Sequence, residues 1–299
     1  MQISQPKAPF GEVNVHSKPT GELEIVATIL MTPDIEGART GLALDASASM
    51  KSWYGSGGNP LFGGPPNLVE PVARTMTGYL ANFSSTGMCD VVYWAVKPDG
   101  TGTEEIGAYD GVAAKSVSFI GPQSSPWGRG TKLLPPVQLF AERFKDAPWA
   151  ICVFVTDGVI EDLEAVKTFC FEFGKKVASG KASMIKMVLL GVGSDVDEGQ
   201  MEELDDMFEG SGILDANGDL VDLWDHTLVS EMKSLEEVFK EVVSKDTIIA
   251  ASGRVITDKG ITAVDFADGL PAMMRFSVPA GTRSFTLEFP GGSVTQELS

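Results

Sequence analysis

The chain has 299 residues, 43% of them apolar and 21% charged, which is enough apolar material for a sizeable core and argues against a disordered chain. Its 41 acidic against 23 basic residues give a formal charge of −18, a field that repels nucleic-acid phosphates and anionic membrane surfaces and so argues against both as partners. No run approaches the roughly 18–20 consecutive apolar residues of a membrane span, and the opening MQISQPKAPFGEVNVHSKP has no apolar signal-peptide core, so the expectation is a soluble, cytoplasmic protein.

In chain order, residues 1–38 read as a tail followed by one strand-like run at 22–32, ELEIVATILMT, which is expected to pair with strands at the far end of the chain. The run GLALD at 41–45 is short, apolar and closes on an acid, the pattern of a buried parallel strand emerging at a loop. Residues 51–66, KSWYGSGGNPLFGGPP, are too rich in Gly and Pro for regular structure, and helical spacing follows over 67–83. CDVVYWAV at 89–96 predicts a second strand, and VAAKSVSFI at 112–120 a third.

A loop over 121–130 then leads to a predicted helix at 134–145, and AICVFVT at 150–156 is the strongest strand signal, running directly into Asp157. A helix over 162–178, a strand over 184–191 and helices over 200–208 and 230–243 complete the alternation. This order predicts an α/β, Rossmann-like, doubly wound and mostly parallel sheet over residues 39–245. After residue 245 only short β-type runs remain, so residues 246–299 and the early strand are expected to form a small antiparallel β module. Cys89, Cys152 and Cys170 lie far apart in apolar runs without metal-ligand spacing, which predicts buried reduced thiols.

The chemistry concentrates at the ends of predicted strands. Asp45, Ser47 and Ser49 alternate on the loop after the first buried strand, Thr131 sits at a loop-to-helix junction, and Asp157 closes the strongest strand. In a parallel sheet these three loops open on one edge, and their carboxylate and hydroxyl oxygens are the ligands hard cations prefer. Asp-x-Ser-x-Ser alone is a weak pattern, since Asp and Ser also cap helices and make turns. With Thr131 and Asp157 in the same order, the chain resembles the von Willebrand factor A family over residues 40–243. The family builds its metal-ion-dependent adhesion site from these five positions.

The resemblance implies the family fold for residues 39–245. It also implies one Mg²⁺ or Mn²⁺ held directly by Ser47, Ser49 and Thr131, with the carboxylates of Asp45 and Asp157 acting directly or through water. An open coordination position would then accept an Asp or Glu of a partner protein. Carried over from cytoplasmic members, the partner would be an AAA+ ATPase or a component of a stress-response complex. Two long loops depart from the family pattern, and their Trp53, Tyr54, Phe62 and Trp127 would either form a contact collar or pin the loops to the domain. Lys51 and Arg129 read as exposed cations near that rim.

Other motifs fail on spacing. DVDEGQMEELDD and DANGDLVDLWDH lack the Gly and Glu positions of a calcium loop, GVGSDVDEG lacks a glycine of the dinucleotide fingerprint, and GRGTK lacks the order of a phosphate loop. His16 and His226 stand apart, and no Ser sits in a nucleophile elbow. The resemblance implies a non-enzymatic, metal-dependent protein-binding module. The alternatives are a metal-dependent phosphoester hydrolase and a scaffold whose ion merely fixes loops.

Overall fold

The computed structural model describes residues 3, 6–7, 9–29, 37–56, 65–193, 195–215, 218, 220–229, 248–250, 252–267 and 269–298. In chain order the elements are β1 (Phe10–Ser17), β2 (Leu23–Ile29), β3 (Arg39–Asp45), α1 (Val69–Ala81), β4 (Cys89–Val96), β5 (Gly102–Tyr109), α2 (Leu134–Arg143), β6 (Trp149–Thr156), α3 (Leu163–Ala178), β7 (Met184–Val192), α4 (Glu198–Asp205) and β8 (Trp224–Val229). They continue with β9 (Ile248–Ala250), β10 (Gly253–Thr257), β11 (Thr262–Phe266), β12 (Leu270–Pro271), β13 (Met273–Val278), β14 (Ser284–Phe289) and β15 (Gly292–Glu297). The helix predicted at 230–243 lies outside the described residues, as does Phe62.

The chain divides into two compact units, one of residues 36–235 and one that joins residues 1–35 to 236–299. In the first, a six-stranded sheet runs β5-β4-β3-β6-β7-β8. Strands β4, β3, β6, β7 and β8 are parallel, and β5 is antiparallel on the β4 edge. The central strands are nearly continuous apolar runs because they are buried on both faces. On one face Ala43, Val92, Trp94, Cys152, Phe154 and Leu189 share a core with Val137 and Phe140 of α2, Val166 and Cys170 of α3, and Met201 of α4. The alternate residues Leu42, Leu44, Val91, Tyr93, Val153, Val155 and Leu190 are buried as well. Cys89, Cys152 and Cys170 are buried and unpaired.

The described strands of the other unit all pair antiparallel. It holds a three-stranded sheet β1-β2-β13, a four-stranded sheet β11-β10-β14-β15 and the pair β12-β9. Strand β2 pairs with β13 from Leu23↔Val278 to Thr28↔Met273. Inward residues of both larger sheets share one core, with Phe285 in edge-to-face contact with Phe10 and Phe276.

The expected fold, a doubly wound, Rossmann-like domain of von Willebrand A type with one small antiparallel appendage, is therefore corrected. Of the described residues 38% are strand and 23% helix, and the chain is a mixed α/β protein with several antiparallel sheets beside one mostly parallel sheet. Three strands escaped the sequence pattern. Strand β1 lies in the stretch that reads as a tail, β5 (GTEEIGAY) carries two glutamates along an exposed edge, and β8 opens on Trp224-Asp225-His226, where an acid and a histidine interrupt any apolar run. Conversely, the apolar run at 112–120 is no strand. It forms a 3₁₀ turn at Ala113–Ser116, and its backbone is held by Asn67, Glu70 and Arg74 at α1. No helix among the described residues is long and apolar enough to cross a membrane, which says nothing of membrane strands.

Candidate metal centre

The strand order reverses between β3 and β6, because the chain proceeds from β3 outward to β4 and β5 and then returns to β6 on the opposite side. In open sheets with parallel strands, ligands bind outside the carboxyl ends of the strands where the order reverses. Asp45 ends β3, and Asp157 follows the last residue of β6.

Asp45 is fully buried. One carboxylate oxygen accepts the Ser47 backbone N–H at 2.6 Å, and the other accepts the Thr156 hydroxyl at 2.7 Å. Thr156 is thus a site residue that the motif did not reveal. The register offers the signal, since Leu44 pairs with Val155 and the next positions are Asp45 and Thr156. The Ser47 and Ser49 hydroxyls lie 2.9 Å apart, and Ser49 donates to Asp157 Oδ1 at 2.8 Å. Ser47 and Asp157 are buried whereas Ser49 is exposed, so the cluster reaches solvent on the Ser49 side. Four of the five expected residues therefore form one hydrogen-bonded chain with Thr156.

Thr131, the fifth, makes no hydrogen bond to the other four. It is buried, its carbonyl accepts the Glu161 N–H at 2.9 Å, and a β-carbon built on Gly158 would lie 3.6 Å from its hydroxyl oxygen. Its hydroxyl consequently lies next to the backbone that follows Asp157.

The Thr131 loop reaches this place by inserting a rung between the ends of β3 and β4. Ser47 and Gly128 form a parallel bridge, Ala48 N–H donates to Gly128 O at 2.7 Å, and Lys97 N–H donates to Pro126 O at 2.9 Å. Beside the rung the backbone turns left-handed at Ala95 in β4 and at Lys97 just after it, with φ of 54° and 70°. Such φ values in non-glycine residues cost about 1–3 kcal/mol each and persist only where surrounding contacts enforce them. Gly128 is required by closeness, since any β-carbon there would collide with the Ala95 carbonyl.

Burial pushes the Asp45 carboxyl up to about 7, and the hydrogen bonds from Thr156 and Ser47 offset only part of this. Asp157 is also raised by burial, with the Ser49 hydrogen bond opposing and the Asp195 charge reinforcing the shift. Among the described residues neither carboxylate pairs with a cationic side chain. The donors are all hard oxygens, and two desolvated carboxylates whose described partners are hydroxyls and N–H groups fit a small divalent cation. No group of three or more His, Cys, Asp or Glu able to hold a metal occurs among the described residues. A centre on these loops would therefore depend on its hydroxyls.

The rim aromatics are mostly pinned. Tyr54 is buried, donates to the Asp45 carbonyl at 3.0 Å, and meets Tyr93 and Trp127 edge-to-face. Trp53 contributes a hydrogen bond that lowers the Asp157 carboxyl, and its ring lies against Gly193. Lys51 is exposed and lies over the Trp127 ring at 5.9 Å, and Arg129 is exposed. His16 lies in β1, and His226 Nδ1 sits 2.9 Å from Asp205 Oδ2, both outside this cluster.

No family model matches the chain, and no curated protein matches it. Among solved structures it is weakly similar to the PilB minor pilin from Streptococcus sanguinis, at 12% identity and a TM-score of 0.41, covering 80% of this chain and 78% of that one. It is similar at 8% identity and a TM-score of 0.45 to the pilus adhesin SpaC from Lactobacillus rhamnosus GG, covering 97% of this chain and 46% of the adhesin. The SpRpn10 VWA domain is a further weak neighbour, at 10% identity and a TM-score of 0.39, with 65% and 89% covered. At these scores the likeness carries no argument.

Proposed function

We propose that the chain is a non-enzymatic, metal-dependent protein-binding module with a metal-ion-dependent adhesion site of von Willebrand factor A type. Ser47, Ser49 and Thr131 would hold Mg²⁺ or Mn²⁺, with Asp45 and Asp157 supplying the negative charge. The observation that carries this reading is the hydrogen-bonded chain from Thr156 through Asp45, Ser47 and Ser49 to Asp157, two desolvated carboxylates with no cationic partner among the described residues. The bound ion would supply a positive centre for a carboxylate from another protein. With three neutral hydroxyls as its direct ligands and the two carboxylates acting directly or through water, the ion would keep a coordination position open to an added anionic ligand. The partner class is a protein presenting Asp or Glu, with a cytoplasmic AAA+ ATPase as the candidate carried over from the family resemblance.

The test is isothermal titration of Mg²⁺ and Mn²⁺ into EDTA-stripped wild type and Asp45→Ala, followed by partner capture with and without EDTA. A single site present in the wild type and lost in the variant, with EDTA-sensitive capture, is the expected result. Capture that is indifferent to EDTA would overturn the partner mechanism.

A further inference from the structure

Two of the three loops that make the candidate centre are joined by one side chain. Asp162 stands at the N-cap of α3, where an acid usually accepts a hydrogen bond from the first amides of its own helix. It makes no such bond. Its Oδ1 instead accepts the backbone N–H of Leu133 at 2.8 Å, and its Oδ2 accepts that of Leu134 at 3.1 Å. These amides begin α2, which has no side-chain cap of its own. The next two residues, Pro135 and Pro136, carry no N–H, and Val137 N–H already bonds Leu133 O. Asp162 therefore takes the free donors at this helix start.

The preceding residue continues the contact, since Glu161 N–H bonds the Thr131 carbonyl. The segment from 161 to 162 thus holds the backbone from Thr131 to Leu134. Asp162 acts from a fixed base, because Gln200 of α4 accepts the Ile160 N–H at 2.8 Å and donates to the Ile160 carbonyl at 3.0 Å.

We infer that Asp162 is a positioning residue for the candidate metal centre: by holding the Leu133 and Leu134 amides it sets Thr131 relative to Asp157. The inference rests on the metal reading above for its effect on ion binding, while the link between the loops can be measured without any ion. A role confined to α3 makes the opposite prediction for one substitution. Ser caps a helix about as well as Asp, so Asp162→Ser would preserve an α3 cap, but its side chain is too short to span to α2.

The experiment measures amide hydrogen exchange at Leu133 and Leu134 in EDTA-treated wild type and Asp162→Ser, and Mg²⁺ titration into both. In the variant we expect both amides to lose protection while the α3 amides keep theirs, and Mg²⁺ affinity to fall about 10–100-fold, as when supporting partners of metal ligands are removed. Retained protection, or unchanged Mg²⁺ affinity, overturns the inference. If the wild type takes up no Mg²⁺, the metal reading fails, and exchange alone decides whether Asp162 joins the loops. Should Asp162→Ser not fold, Asp162→Asn, which keeps one acceptor oxygen, is expected to expose one of the two amides and to lose affinity by a smaller factor.

Discussion

The six-stranded sheet handles carboxylates differently at its two ends. Where the parallel strands begin, Asp90 of β4 lies 3.3 Å from the Arg39 guanidinium and 3.6 Å from that of Arg143, and Arg143 also pairs with Glu105 of β5. Where they end, Asp45 and Asp157 meet, among the described residues, only hydroxyls and N–H groups. Fixed guanidinium groups offset the cost of desolvating an acid, so the first end is complete within the chain. Hydroxyls and amides offset less, and Asp45 is left with a carboxyl near neutrality. The contrast teaches that buried acids alone do not mark a site; what matters is whether the fold also supplies their counter-charge.

The largest expected effect tests the uncompensated end. On the proposed reading, Mg²⁺ at about 100 times its Kd should stabilise the wild type by about 2.7 kcal/mol over the EDTA-treated protein, and Asp45→Ala should show no such gain. Thermal unfolding with and without Mg²⁺ measures it, and an equal gain in Asp45→Ala would erase the contrast. The compensated end should respond to loss of a cation. Arg143→Met leaves Asp90 and Glu105 short of a partner and should cost about 1–3 kcal/mol by urea unfolding, with the Mg²⁺ response intact.

The smallest effect concerns an intermediate case. Lys186 of β7 is shared between Asp222 at 2.7 Å and Asp225 at 3.1 Å, and burial still pushes Asp225 up to about 6. Between roughly pH 4 and 6 the native state thus holds a proton that the unfolded chain has released. The stability this contributes is present below pH 4 and lost as pH rises through 6. Relative to wild type, Asp225→Asn should therefore gain stability between pH 4 and 7, read from urea midpoints. A difference that does not change with pH would place Asp225 with the guanidinium-matched acids.

Strands β3, β6 and β7 were legible because double burial writes an unbroken apolar run, and the strand-to-loop junctions at Asp45 and Asp157 followed from them. Strands with one polar or edge-exposed side, β1, β5 and β8, give no such run; β1 and β5 pair antiparallel, so the sequence pattern understates the antiparallel share of the molecule. The converse error at 112–120 arose because Phe119 is buried beside a helix without belonging to a sheet. At the site, residue types and order located the oxygens of Asp45, Ser47, Ser49 and Asp157. The Thr156 hydroxyl required strand register, and the reach of Asp162 to α2 required three dimensions, because local sequence reads an acid before a helix as that helix's own cap.

The three cysteines have a practical consequence. Cys89, Cys152 and Cys170 are buried, and burial pushes each thiol above its usual range, so thiolate-selective reagents have little to attack on the native protein. Arg129, exposed one residue beyond the glycine that the Ala95 carbonyl crowds, could then be changed to Cys as a single maleimide handle. A dye attached there would report occupancy of the neighbouring loops by its own emission, with the natural thiols left in place.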